Sequence, residues 1–427
     1  MSIRILCTGD MHLGRRPTQI PEDADLHALR PTVVWHSLVS TAIERKVDAV
    51  VLTGDVVDES NKFYEAFSSL QSGVECLVNA GIPVLAVSGN HDFNILPRLV
   101  DQIPNFHLLG RGGHWDDFVL EKDGVPAIRF QGWSFPTRHV SRDPLAGYVA
   151  PSDELPTVGV LHCDCDVPTS NYGPVSLAGL KAKSPIAWLL GHVHKPELLS
   201  ESYPLVLYPG SLQGLDPGEP GMHGAWLISL GSEHAPTAEL LPLARLRWEQ
   251  IEVSLDSVSD EDSFQRVAID ALRERHQQIR GGLGETRWVG CRLHLVGRSP
   301  LHRHLPRLIM DIQSNLTPEF EDVEYFVERI EDLSRPNIPL EDIARSNDLA
   351  GLLARRVLTL DRRDSPDAYQ KLMAAAKRPV EEGRSRPQFA SLLGSDESLG
   401  EEQVRDLLLK AGLLALEELL TQKETGT

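Results

Sequence analysis

The sequence predicts an α/β fold built in layers, from three observations on its first half. Short runs rich in Val, Ile and Leu recur, as expected for strands buried on both faces. Stretches of helical periodicity separate some of these runs, and polar residues with adjoining glycines follow the runs directly. The predicted strands span residues 3–7, 49–52, 84–87, 158–161, 186–190 and 205–207.

Two helices are predicted between these strands. In residues 31–45, Val34, Leu38 and Ala42 recur on one side, and residues 63–79 form a second periodic stretch that Gly81 follows. In sheets of this class, sites assemble beyond the carboxyl ends of the strands. We therefore expect the polar residues that follow the predicted strands to meet at one edge.

Composition and charge limit the classes of protein. A chain of 427 residues, 41% hydrophobic and 24% charged, is typical of a globular protein with two or three domains. No apolar stretch is long enough to span a membrane. The net charge of −19 argues against a broad basic surface, so a nucleic-acid substrate would be held by local positive groups, by metals or by a partner.

Cysteine usage and the start of the sequence both predict a cytoplasmic protein. The five cysteines are odd in number and unpatterned, which is typical of reduced thiols and not of a disulfide framework. Residues 3–8 lead straight into Asp10, a candidate ligand. We therefore expect no signal peptide, because its cleavage would remove that ligand.

Five short segments place metal-binding residues at or just after the apolar runs. Together they supply two carboxylates, one amide and four imidazoles. This mixture of oxygen and nitrogen suits manganese, iron or zinc, and we expect manganese. Two divalent cations among two carboxylates keep a net positive charge, which would attract a phosphate ester and activate water. The candidate ligands are Asp10, His12, Asp55, Asn90, His162, His192 and His194.

The order of the segments is D-x-H, G-D-x-x-D, G-N-H-D, a lone histidine and G-H-x-H. This order resembles the five motifs of the calcineurin-like metallophosphoesterases. The resemblance implies a four-layer α/β/β/α sandwich in which the second carboxylate bridges two cations. By motif, one cation would take Asp10, His12, Asp55 and His194, and the other Asp55, Asn90, His162 and His192.

The same resemblance implies a role for residues that are not ligands. His91 would face the phosphate and assist the leaving oxygen, and Asp58 stands where related phosphoesterases often place a carboxylate that orients this histidine. Such a carboxylate would fix the tautomer and favour the imidazolium. Asp92 would hold the loop.

Longer matches narrow the resemblance to one branch. Residues 10–14 and the segment Tyr208-Pro-Gly-Ser211 resemble the SbcD-type DNA repair exonucleases, and residues 12–17 and 54–58 are most similar to the YhaO-like branch. This implies a nuclease of double-strand-break repair that cuts DNA from ends, with endonuclease action as a further expectation. It also implies an SMC-like ABC ATPase of the SbcC type as partner, and a homodimer. Eukaryotic and archaeal relatives usually carry histidine where Asp58 stands, so their mechanism does not transfer directly.

Three domains are predicted: residues 1–245 as the nuclease, 246–336 as an α+β capping domain and 337–427 as a helical region that could bind the ATPase. In the second, strands at 251–255, 288–296 and 323–330 alternate with helices at 261–278 and 305–315. In the third, a loop is predicted at 382–400 and a helix at 401–422, whose wide apolar face must be buried. That face is predicted from Val404, Leu407, Leu408, Ala411, Leu414, Leu416, Leu419 and Leu420.

Two other functions stay open at this point. The charge of −19 gives some support to a phosphoesterase of nucleotides or phosphoproteins. A non-catalytic scaffold that organises an ATPase is the alternative outside the enzymes. Cys163 and Cys165 also raise the question of a thiolate site, but in an extended segment they would point away from His162, and buried thiols are favoured. No role is assigned to His139, Tyr172 or His223.

Overall fold

The computed structural model describes residues 2–22, 24–58, 63–231, 235–384 and 400–424. The chain divides into two compact units. One comprises Met1–Ile251, Leu272–Arg292 and Asn315–Arg329, and the other Glu252–Ala271, Leu293–Ser314 and Ile330–Thr427. All of the candidate ligands belong to the first unit. The three predicted domains with boundaries near 245 and 336 stay a prediction.

Two six-stranded sheets form the first part of the chain. The strands are β1 (Ser2–Thr8), β2 (Ala49–Leu52), β3 (Val84–Ala86), β4 (Phe106–Leu108), β5 (Trp115–Lys122), β6 (Val125–Trp133), β7 (Thr157–His162), β8 (Ala187–Gly191), β9 (Glu197–Ser200), β10 (Leu205–Tyr208), β11 (Gly224–Gly231) and β12 (Thr237–Pro242). The helices are α1 (Pro31–Glu44), α2 (Phe63–Asn79), α3 (Leu96–Val100) and α4 (Leu177–Lys181). The strand orders are β12-β11-β1-β2-β3-β4 and β5-β6-β7-β8-β10-β9.

The strands at the centre of both sheets are buried on two faces. In β1, Ile5 belongs to the core shared by the two sheets, and Leu6 packs on the side of α1 and α2. In β8, Leu189 belongs to the shared core, and Trp188 packs on the side of α4. Each such side chain contributes about 1.5–3 kcal/mol by leaving water. The order of helix, sheet, sheet and helix confirms the predicted α/β/β/α sandwich.

The predicted strands of the first half are all present, with ends that differ by at most one residue. The helix predicted at 63–79 is α2, and the one at 31–45 ends one residue earlier as α1. The strands β4, β5, β6, β9, β11 and β12 were not predicted. In β5, for example, most residues are exposed or partly exposed because it is an edge strand, so its apolar run is limited to residues 118–120 between charged residues.

The second part of the chain contains the predicted alternation of strands and helices. Its elements are β13 (Leu246–Ser254), α5 (Glu261–Ile279), β14 (Trp288–Val296), β15 (Arg298–Ser299), α6 (Leu305–Ile312), β16 (Glu319–Phe320), β17 (Val323–Asp332) and β18 (Arg335–Pro336). One sheet has the order β13-β14-β17-β16. The strand predicted at 251–255 starts five residues earlier, and the helix predicted at 305–315 ends in a 3₁₀ turn.

Helices follow to the end of the described chain: α7 (Leu340–Ile343), α8 (Leu349–Arg362), α9 (Pro366–Arg384) and α10 (Glu401–Glu424). The predicted loop at 382–400 is wrong for its first three residues, which continue α9, and residues 385–399 lie outside the described chain. Within the described residues, none of the helices combines the length and the apolar character that crossing a bilayer requires.

The buried face of α10 differs in part from the predicted one. Leu409, Leu413 and Leu416 recur at helical spacing and are buried in a cluster with residues of α8. Leu407 and Leu414 were predicted on the buried face but are 47% and 54% exposed. Eight apolar residues are too many for one stripe, so the packing selects those that point towards α8 and α9.

Candidate metal centre

The loops that carry the candidate ligands lie side by side at the carboxyl ends of the strands. Asp10 and Gly54 are joined by a backbone hydrogen bond of 3.0 Å, and the backbone N–H of His12 donates to the carbonyl of Asp55 at 2.9 Å. His162, the last residue of β7, lies opposite Gly191 in β8. The parallel register of the strands therefore brings the predicted ligands together.

Four of the candidate ligands have left-handed backbone. The φ angles are 46° at Asp10, 44° at His12, 49° at Asp55 and 97° at His192. Such a conformation costs about 1–3 kcal/mol at a residue that is not glycine, and it is found most often at functional sites. The chain turns sharply after each strand and aims these side chains at one region.

One group of ligand atoms comes from Asp10, His12 and His194, and these atoms all lie within 4.8 Å of one another. The Nε2 atoms of His12 and His194 are 3.3 Å apart. The Nε2 atom of His194 is also 3.9 Å from a carboxylate oxygen of Asp10. Both rings thus turn the same nitrogen towards one point next to a buried carboxylate.

A second group surrounds the amide oxygen of Asn90. This oxygen lies 3.0 Å from Nε2 of His162 and 3.2 Å from Nδ1 of His192. Nδ1 of His162 lies 3.0 Å from the carbonyl oxygen of Thr53. Since this oxygen can only accept, Nδ1 carries a hydrogen and donates the hydrogen bond. Burial lowers the pKa of His162, so the ring is neutral and its Nε2 presents a lone pair to Asn90. Two buried acceptors this close to each other need a positively charged partner, which a bound cation would supply.

Asp55 lies between these two groups. One carboxylate oxygen is 3.5 Å from Nε2 of His162, and the other accepts the backbone N–H of His91 at 2.8 Å. Burial works to raise the pKa of Asp55, but His162 and His12 hold it below its usual value. The carboxylate therefore stays ionised at neutral pH and suits a position between two cations.

His91 and Asp58 lie at the edge of the site. The rings of His91 and His12 pack edge to face with centroids 5.1 Å apart. Asp58 lies near both histidines and is 3.5 Å from Nδ1 of His12 and 3.6 Å from Nε of Arg15. Burial lowers the pKa of His91, although Asp55 and Asp58 act against this lowering. The two carboxylates favour the imidazolium, as expected, but burial has the larger effect on the pKa, and the roles of His91 and Asp58 stay predictions.

Each of the four histidines among the candidate ligands has an oxygen within 3.5 Å of the ring nitrogen that faces away from the centre, although Nδ1 of His12 makes no hydrogen bond to its oxygen. Such outer partners fix the tautomer and the orientation of a ligand ring. The pairs are His162 with the carbonyl of Thr53, His194 with Glu219, His192 with Asp164 and His12 with Asp58. The last two pairs are 3.5 Å apart and the pair with Glu219 is 2.7 Å apart.

Several residues around the centre were not predicted from the sequence. Glu219 holds the pKa of His194 at about 9 against the effect of burial. Tyr172 packs on the ring of His192, with ring centroids 4.7 Å apart. His223 forms a hydrogen bond with Ser211. No spacing rule would find them, because irregular loops carry them and only the folded chain brings them to the ligands.

Asp92 connects two of the ligand loops from within the core. It is fully buried, and its oxygens accept the backbone N–H groups of Gly89 at 2.7 Å and Val56 at 2.8 Å. This arrangement agrees with the expectation that Asp92 holds the loop. The tight packing also explains Gly89 itself, since a Cβ atom there would lie 2.2 Å from a carboxylate oxygen of Asp55.

Of the two cysteines next to the ligands, one is buried and the other is partly exposed. Cys163 is fully buried and packs in an apolar cluster with Trp133 and Trp188. Burial raises the pKa of Cys163, and it raises the pKa of Cys165 to about 12. The interpretation of buried thiols therefore holds for Cys163, whereas Cys165 is partly exposed.

A layered fold with oxygen and imidazole ligands at its strand ends is the arrangement of a metallophosphoesterase. Residues 3–196 match the sequence profile of the Calcineurin-like phosphoesterase family, and residues 248–335 match that of the middle domain of Metallophosphoesterase YhaO. The chain therefore carries a calcineurin-like phosphoesterase domain, which is a hydrolase domain whose family uses a dinuclear metal site.

Proteins with sequence similarity include phosphoesterases and nucleases. An uncharacterized metallophosphoesterase YhaO from Bacillus subtilis is 28% identical over 45% of this chain and 47% of its own length. A DNA double-strand break repair protein Mre11 from Aeropyrum pernix is 24% identical over 69% of this chain and 73% of its own length. One component of the nuclease SbcCD from Escherichia coli K12 is 28% identical over 29% of this chain and 30% of its own length. The chain thus matches about half of the first of these relatives and less than a third of the last.

Proposed function

We propose that the protein hydrolyses phosphodiester bonds of DNA with two divalent cations, as the nuclease of a double-strand-break repair system. The observation that carries the proposal is the pair of ligand groups that meet at Asp55, with His91 beside them. The substrate is supported by relatives whose names state DNA repair and nuclease action.

The proposed ligands divide between two positions. The first cation is assigned to Asp10, His12, Asp55 and His194, and the second to Asp55, Asn90, His162 and His192. The cations, manganese in our proposal with iron and zinc as alternatives, would supply positive charge that activates water and stabilises the charge added to phosphate. The neutral His162 and the ionised Asp55 are in the protonation states that ligands need.

His91 is proposed to give a proton to the leaving oxygen. It is partly buried at the edge of the ligand groups, and its backbone N–H is bound to Asp55. A phosphate beside the ring would oppose the lowering of its pKa by burial and so favour the protonated form. Asp58 lies close to both His91 and His12 and is proposed to hold the two rings in place.

The remaining parts of the proposal concern partners and location. We propose that residues 246–336 cap the site and that the helices after residue 337 bind an SMC-like ABC ATPase, with Leu407 and Leu414 exposed on α10. A homodimer is proposed as well. The five cysteines are all free, which fits the proposed cytoplasmic location.

The test is cleavage of end-labelled linear duplex DNA with added manganese. We expect stepwise shortening by the wild-type protein and by His36→Ala, a control in which an exposed histidine of α1 is lost. His91→Ala should bind manganese as well as the wild type does, and it should cut at least about 100-fold more slowly because general acid catalysis is lost. Equal rates in His91→Ala and the wild type would refute the role of His91.

A second candidate substrate is a nucleotide or a phosphoprotein, which the net charge of −19 favours. The same protein preparations would be offered bis-(p-nitrophenyl) phosphate and a phosphopeptide. Hydrolysis of these small esters without any cleavage of DNA, also after an ATPase partner is added, would replace DNA by this class. A wild-type protein that hydrolyses none of these substrates and retains no metal would instead favour the scaffold function.

A further inference from the structure

Glu219 is a carboxylate beside the centre that the ligand assignment does not include. Its Oε1 atom accepts a hydrogen bond of 2.7 Å from Nδ1 of His194, and its side chain is only 15% exposed. Nε2 of the same ring points towards His12 at 3.3 Å. Because Glu219 accepts the hydrogen bond from Nδ1, Nε2 is the nitrogen of His194 that a cation at the first position would bind, in place of any proton there.

The loop that carries Glu219 fixes this carboxylate from several sides. Its Oε2 atom accepts the Oγ–H of Ser211 at 3.2 Å and the backbone N–H of Leu215 at 2.9 Å. The backbone carbonyl of Glu219 lies 3.1 Å from Nε2 of His223, a buried ring that also bonds Ser211. One carboxylate oxygen of Glu219 therefore accepts hydrogen bonds from its own loop, and the other accepts the hydrogen bond from His194.

We propose that Glu219 is a positioning residue for the first cation site, since it sets the tautomer and the direction of the His194 ring. This assignment rests on the proposed two-metal function. The corresponding contact at the second site, between Asp164 and Nε2 of His192, is longer, at 3.5 Å. Loss of Glu219 should therefore weaken the first site and leave the second nearly unchanged.

Metal binding tests the assignment directly. Metal-free protein would be titrated with manganese and the free ion followed by electron paramagnetic resonance. We expect two sites in the wild type, and one of them about 10–100-fold weaker in Glu219→Gln. Glu197→Gln is the matched control, because Glu197 is exposed and follows His194 by three residues. Its two affinities should equal those of the wild type.

Nitrogen NMR of histidine-labelled, metal-free protein separates positioning from a general loss of structure. The hydrogen-bonded Nδ1–H of His194 should give a signal that is present in the wild type, shifted in Glu219→Gln and absent in Glu219→Ala. The other histidine signals should stay in place. Unchanged affinity and an unchanged signal in both variants would overturn the assignment alone. A wild-type protein that binds no manganese would overturn the proposed function and the assignment with it.

Discussion

The Nε2 atom of His162 lies 3.0 Å from the amide oxygen of Asn90, and the Nδ1–H of the same ring donates a hydrogen bond to the carbonyl of Thr53. Two buried acceptors thus face each other with no hydrogen between them. Two acceptors this close repel each other when no cation is present, whereas both can bind a cation placed between them. The protein would therefore fold most stably when metal is bound.

Manganese should raise the temperature of unfolding of the wild-type protein. A ligand at one hundred times its dissociation constant stabilises the folded state by about 2.7 kcal/mol for each site. Calorimetry with manganese and with EDTA would measure the shift, and Asp55→Asn should lose most of it because the residue between both groups loses its charge. Identical unfolding temperatures of the wild type in manganese and in EDTA would contradict metal binding at this centre.

Replacing Gly89 by alanine should damage the centre without a change in any ligand. The added Cβ would lie 2.2 Å from a carboxylate oxygen of Asp55 and 2.7 Å from the ring of His162, so Asp55 must move. A displacement of this kind can cost about 100-fold in rate. Hydrolysis of a small phosphodiester would measure it.

Gly281→Ala is the control for this variant. Among the residues that the structure describes, none beyond its two chain neighbours has an atom within 4 Å of a Cβ placed at Gly281, so the rate of this variant should equal that of the wild type. If Gly89→Ala were as active as Gly281→Ala, the packing described around Asp55 would be incorrect.

The thiols should differ in their reaction with a thiol reagent at pH 8. Cys76 is exposed and should react first, whereas Cys7, Cys163 and Cys291 are buried and should react only on unfolding. Burial raises the pKa of Cys165 to about 12, so its thiolate fraction and its rate should increase about tenfold for each pH unit above 8. In Cys76→Ser the fast phase should disappear. Several thiols reacting at equal speed in the native protein would contradict the burial described.

The direction of α10 can be tested by two matched leucines. Leu416 is fully buried and Leu414 is 54% exposed, although both belong to the apolar face that the sequence predicts. Leu416→Ala should lower the free energy of unfolding of the helical region by about 2–5 kcal/mol, since it leaves a cavity. Leu414→Ala should have little effect on chemical unfolding. The reverse order would mean that α10 packs with another face.

The sequence predicts best those elements that are buried on both sides. The runs that became β1, β2, β7 and β8 are continuous and apolar because they are central in their sheets, and the ligand motifs follow them at fixed positions. In edge strands such as β5 this signal is weaker, since polar residues are tolerated on the side that faces solvent. In α10 the apolar residues extend beyond one stripe, so its sequence alone does not determine which of them are buried.

The outer partners of the ligands depend on tertiary structure in a way that local patterns do not report. Glu219 is 25 residues from His194, and the two meet only because an irregular loop returns to the centre. Asp164 is an exception, since the alternation of an extended segment already places it on the same side as His162. Roles of His91 and Asp58 came from resemblance to a family and stay proposals.

Crystallography with manganese would locate the two cations at the centre. Anomalous differences from a crystal soaked in manganese should show two peaks about 3.5–4 Å apart, with a carboxylate oxygen of Asp55 bound to both. One peak should be bound by His12 and His194, and the other by Asn90, His162 and His192. A single peak, or two peaks away from Asp55, would contradict the two-metal centre.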